Sequence, residues 1–111
     1  MIRSDLWVAA FVRRHNDIGN ICVVVRKGDP IAGQIFIEID HLNGTVSLLT
    51  PAPSSAREEG DADRIFMRQI ERAEPQAVQA RIEREARFDP DLWLIAIETR
   101  QDDVGARLAK L

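Results

Sequence analysis

Arg64, Arg68 and Arg72 recur at intervals of four. That spacing keeps residues on one side of a strand and on one stripe of a helix, so the three guanidinium groups line up whichever element forms. Guanidinium forks bind phosphates and carboxylates in a bidentate way, which makes anion binding one reading of the stripe. The plainer reading is a solvated charge face that answers Glu71, Glu74 and the acids of the segment 54–63. Exposed ion pairs of that kind contribute little to stability.

The string Phe88-Asp89-Pro90-Asp91-Leu92-Trp93 sets two carboxylates two residues apart beside a tryptophan. Asp89 and Asp91 are thus a candidate polar corner for a cation or a polar ligand. The simpler role is a helix-to-strand corner, in which Pro90 fixes φ and the carboxylates accept from nearby backbone N–H groups. His15 and His41 each lack a second histidine at metal-ligand spacing. A zinc site would have to recruit Glu38 and Asp40, which point away from His41 on a strand, so His41 reads as a turn histidine beside solvated acids. Cys22 lies in a β-branched run, the setting of a buried, inert thiol. A lone cysteine excludes an internal disulfide and a thiolate metal cluster. Lys27-Gly28 lacks the flanking glycines of a phosphate loop, and no nucleophile elbow is present. No catalytic residue, metal or cofactor is expected.

The elements that must position these groups follow from periodicity. From Ser4 to Asp17 a helix is expected, with Leu6, Trp7, Ala10 and Phe11 on one stripe. Val8 and Val12 widen that stripe and predict cover on more than one side. Ser4 stands at the N-cap position, Asp5 at the positive end of the macrodipole, and Arg13, Arg14 and His15 at the negative end. Gly19 suits a left-handed stop. The run 21–25 reads as a strand covered on both faces. After the break at 26–30, residues 33–39 form a second strand, with Ile35, Ile37 and Ile39 on one face and Phe36 and Glu38 on a partly wet one. Asn43-Gly44 predicts a type I′ turn into a third strand at 45–49, completing an antiparallel meander.

Pro51-Ala52-Pro53 ends the meander, and 54–63 is expected to be an exposed, mobile acidic loop. Residues 64–71 fit a strand better than a helix, because Glu74-Pro75 forces a boundary and Pro75 suits a first helical turn. The helix from Pro75 to about Arg87 has the stripe Val78, Ile82 and Ala86, closed by Phe88, with Glu83 and Arg87 as an i,i+4 pair. Residues 92–97 are apolar on both faces and therefore central, and 101–111 read as a short docked helix or a frayed end. Trp7 and Trp93 belong to the core. The order α-β-β-β-β-α-β is that of an α+β fold. It predicts a mostly antiparallel sheet of about five strands, in a single layer covered by two main helices.

Several strings in this chain resemble one small family. They are Ser4-Asp5-Leu6-Trp7 with Arg13-Arg14, Arg26-Lys27-Gly28-Asp29 with Ala32-Gly33, Leu42-Asn43-Gly44-Thr45, Pro51-Ala52-Pro53, and Arg87-Phe88-Asp89-Pro90-Asp91-Leu92-Trp93. Together they are similar to the alphaproteobacterial family called domain of unknown function 1491, over about residues 4 to 100. Leu49-Thr50 stand where that family commonly has a tyrosine and a glycine. The resemblance implies an intracellular bacterial protein of one domain and carries no catalytic residue.

Composition bounds the rest. The 111 residues are the size of one domain, 1–111, and 45% apolar with 30% charged suits a globular chain. Eighteen acids against 15 bases leave a net charge of -3, which argues against a nucleic-acid partner. No apolar run is long enough for a membrane span, and the start resembles no signal peptide, so a cytoplasmic location is expected. The leading expectation is a non-enzymatic binding or interaction module, with a homodimer or another protein as partner. Its competitor is a small enzyme or binding protein that holds a phosphorylated or anionic molecule on the arginine stripe.

Overall fold

The computed structural model describes residues 2–53 and 63–109. The expected acidic loop 54–63 lies outside them except for Asp63. Helix α1 spans Ser4–Asp17, as its spacing predicts, but two details differ. Ser4 is the first helical residue rather than the cap: it is fully buried, and its hydroxyl donates to the Gly33 carbonyl at 2.6 Å. The buried stripe is Ser4, Val8, Phe11 and His15, while Leu6 and Ala10 face solvent. One stripe at 4-3-4 spacing buries one side only, so α1 packs on a single surface. Gly19, at φ +91, ends the turn, and its N–H donates to the Asn16 carbonyl.

Strands β1 (Ile21–Arg26), β2 (Ile35–Asp40), β3 (Val46–Pro51) and β4 (Ile65–Ala73) follow, then helix α2 (Pro75–Phe88), β5 (Trp93–Glu98) and the short β6 (Arg107–Leu108). The α+β class and the element order hold. The sheet, however, is mixed and six-stranded among the described residues, in the order β1-β5-β2-β3-β4-β6. Pairs β1–β5, β2–β3 and β3–β4 are antiparallel, whereas β2–β5 and β4–β6 are parallel. The expected meander of the first three strands is therefore corrected to β2-β3-β4. The chain from Arg26 to Ile35 is no tight turn. It is a loop held against residues 91–93, which leaves β1 to pair with β5 instead of β2. β5 is central, as two apolar faces predict. β1 is an edge strand whose one well-buried residue is Cys22, which overturns the expectation of cover on both faces.

Asn43-Gly44 does lie in a hairpin, but the residues at positive φ are Leu42 and Gly44, so the turn is not type I′. Asp40 pairs with Val46, the His41 N–H donates to the Thr45 carbonyl, and the Asn43 side chain accepts from the Thr45 N–H and hydroxyl. The 101–111 tail, over its described residues, is neither a helix nor frayed. It buries Val104 against the α1 side of the sheet and ends in β6.

The sheet separates two cores. On the α1 side, Val8 and Phe11 meet Cys22, Ile35, Ile37, Ile39, Ile95 and Ile97. On the α2 side, Val78 and Ile82 meet Phe36, Val46, Leu48, Leu92 and Leu94. Phe88 does not close that stripe but stands 84% exposed. The ion pair on α2 joins Arg81 and Glu85 at 2.7 Å, in place of the expected Glu83–Arg87 pair.

Candidate functional site

The three arginines of the stripe do not converge. Arg64 reaches the N-terminal segment, donating to the Ile2 carbonyl at 3.0 Å and the Ser4 hydroxyl at 2.9 Å. Arg68 and Arg72 do come together. Arg68 donates to the Asp102 carbonyl at 3.2 Å, and Arg72 forms an ion pair with the Asp102 carboxylate. Arg72 sits at φ +47 beside an irregularity in the β3–β4 register, and its N–H donates to the Ser47 hydroxyl. The same hydroxyl lies 2.7 Å from Nε2 of His41, which is buried rather than solvated. Burial and the Arg72 charge hold the His41 pKa below its ordinary value. Ser47 is fully buried, so this serine–histidine contact faces no substrate.

Asp89 and Asp91 form a corner, and the corner is closed. Asp89 Oδ1 accepts from the Asp91 N–H at 3.1 Å, the local turn that the string predicts. The Asp91 carbonyl accepts from the Asp29 N–H at 2.9 Å, and the Trp93 indole N–H donates to the Asp29 carbonyl at 2.7 Å. Asp29 in turn accepts from the N–H groups of Ile31 and Ala32. Gly28 is required here. A Cβ at that position would stand 2.1 Å from the Asp91 carbonyl oxygen and 2.7 Å from Trp93 Cδ1. The distinctive strings thus weld the loop after β1 to the start of β5. Trp93 is buried as expected, while Trp7 is only half-buried, stacked on Phe11 at 5.1 Å with its N–H on Asp63.

His15 lies in the core rather than acting as an exposed cation at the helix end. Its Nδ1 accepts from Asn20, which leaves Nε2–H to donate to the Val104 carbonyl at 2.7 Å. Burial lowers its pKa. Cys22 is buried, and desolvation pushes its thiol up to about 11, as its inert setting predicts. Among the described residues no group of three or more His, Cys, Asp or Glu side chains is placed to hold a metal ion.

The surface that sequence reading missed lies along β1. Ile21, Val23 and Val25 are exposed, Val23 by 50%. Register puts Val23 beside Ala96 and Glu38, and Ile21 beside Glu98 and Asp40, all on the α2 side. α2 packs mainly over β3 and β4 and reaches Phe36 and Leu94, so among the described residues no helix lies over Ile21, Val23 and Ala96. Glu38 lies in a shallow cavity with Gln76, Gln79, Ala80 and Glu83 of α2. Its pKa is raised by desolvation and by the charge of Asp40. The strand's free edge is guarded separately. The Asn16 side chain accepts from the Cys22 N–H at 3.1 Å and donates to the Cys22 carbonyl at 2.9 Å, as a neighbouring strand would. A β-branched run has the same composition whether it is covered or open, so no local signal marked this face.

Comparison with known proteins agrees with this architecture. A crystal structure of a DUF1491 family protein from Caulobacter crescentus CB15 is 30% identical, with 98% of each chain covered and a TM-score of 0.79. An NMR structure of a DUF1491 family protein from the same organism is 32% identical over 98% of this chain and 97% of that one, with a TM-score of 0.77. A solution structure of a protein from A. tumefaciens is 34% identical over 99% and 96%, with a TM-score of 0.85. A search of curated proteins found no match. The model of a family described as "Protein of unknown function (DUF1491)" matches residues 2–106, and this chain belongs to that family.

Proposed function

We propose that the chain is a non-enzymatic interaction module that receives a protein partner on the open sheet face over β1 and β5. The observation behind this reading is the contrast along one face of the sheet: Leu94 of β5 is buried against α2, while Ile21 and Val23 of the neighbouring strand are exposed. Contiguous exposed apolar surface is where soluble proteins meet partners. A single buried cysteine suits a reducing compartment, and no helix among the described residues is long and apolar enough to cross a membrane. Both support a cytoplasmic setting. A photo-crosslinking residue at Val23 in living bacteria should give a discrete adduct that the same residue at Arg84, on the outer side of α2, does not. Equal labelling from both positions, or none from Val23, overturns the reading.

The second reading is an anion site at Arg68 and Arg72, favoured by their shared hold on Asp102 beside a small cavity lined by Leu49, Val104 and Leu108. There an anion would take the place of the Asp102 carboxylate. Phosphate titrated at low salt should then move the NMR signals of Arg68 and Arg72. Unmoved signals sink it.

A further inference from the structure

We infer that the open face takes a basic amphipathic helix laid beside α2, with its apolar stripe on Ile21, Val23 and Ala96 and its lysines or arginines over Glu38, Asp40 and Glu98. This rests on the interaction-module reading and names the partner's chemistry. The width fits. Strands lie about 4.8 Å apart, so β1 and β5 with the flank of β2 leave roughly the 10 Å that one helix occupies. α2 already sits over β3 and β4, and a second helix would complete the layer.

Strand addition is the poorer fit. Asn16 already takes the outward N–H and C=O of Cys22, and the register of β1 breaks between Val24 and Arg26. Few outward backbone groups remain in line for a new strand. Charge then selects among helices. Glu38, Asp40 and Glu98 occupy adjacent register positions, with Glu83 of α2 beside Glu38 in the same cavity. None of the four pairs with a cation among the described residues. A second copy docked about a two-fold axis would press these acids against their own images, whereas a basic helix would neutralise them. The half-buried Glu38, raised in pKa by its surroundings, is the group that gains most from a cation.

The test uses the full chain, labelled with 15N, and a synthetic helix of alternating leucine and lysine faces. About 14 residues span the roughly 20 Å length of β1. Its leucine–glutamate counterpart is the control. The leucine–lysine peptide should move the amide signals of Val23, Glu38, Ala96 and Glu98, and the control should leave them in place. The triple variant E38Q/D40N/E98Q should weaken binding by about tenfold. Val23→Ser should weaken it as well, both variants keeping the dispersed spectrum of a folded chain. Binding that neither variant changes, or signals that move only on α1, overturns the helix inference. A selective Val23 crosslink in cells would still leave the broader module reading standing. A dimer in sedimentation that Val23→Asp dissociates assigns the face to a second copy and overturns the inference too.

Discussion

The corner at Gly28, Asp29 and Asp91–Trp93 and the open face along β1 share two strands, yet they spend their residues in opposite ways. At the corner, backbone groups pair at 2.7–2.9 Å and a glycine leaves no room for a methyl group. Along β1, apolar side chains stand in solvent, and three carboxylates lie together with no cation paired to them among the described residues. The distinctive strings do the joining, and the ordinary β-branched run makes the candidate surface. Rare spelling in a sequence marks tight geometry at least as readily as it marks function.

The largest effect should come from the corner. Trp93→Ala removes a buried ring and should cost about 3–5 kcal/mol in urea unfolding. Gly28→Ala attacks the same contact from the other side and should cost about 1–3 kcal/mol, because the backbone of Asp91 and Leu92 must shift. Unchanged midpoints would break the account of the corner as closed.

Acidification should separate the interior from the open face by sign. The folded pKa of His15 lies below its ordinary value of 6.5, so below that pH the unfolded chain takes up a proton first. Stability present above 6.5 is then lost as pH falls towards the folded pKa. His41 acts in the same direction. His15→Gln should flatten this decline in a melting series from pH 8 to 5, and an equal slope would show that the ring is not held neutral.

Glu38 works the other way, because its folded pKa is raised. Its charge costs stability above that pKa, and the cost is relieved as pH falls through it. The smallest effect is accordingly a gain: Glu38→Gln should raise the melting temperature at neutral pH while weakening the leucine–lysine peptide. A fall in melting temperature would mean that Glu38 already has an internal partner, and the contrast between the regions would blur.

Much of this fold was legible in the sequence because local signals agreed. Glu74-Pro75 and Asp89-Pro90 bracket α2, Gly19 closes α1, and the doubly apolar run at 92–97 becomes the central strand. Failures came where partners are distant. The rotation of α1 depends on burying two polar residues: Ser4 on Gly33 and Arg64, and His15 on Asn20 and Val104. Reading apolar residues as the core cannot select them. The arginine stripe was visible, but the residue that gathers Arg68 and Arg72 is Asp102, 30 or more positions onward. The open face depends on β5 entering between β1 and β2, which no pattern within 21–25 encodes.

That insertion also has a kinetic meaning. Among the described strands β1 pairs only with β5, and β2 waits for the same strand, so both remain unpaired on that side until residues 93–98 arrive. Closing those ladders joins segments separated by most of the chain, and such long loops are searched slowly. During synthesis, the β-branched run of β1 is therefore made early and partnered late. Asn16 holds only the outer edge of β1, at Cys22, so the edge that β5 takes stays open for that interval.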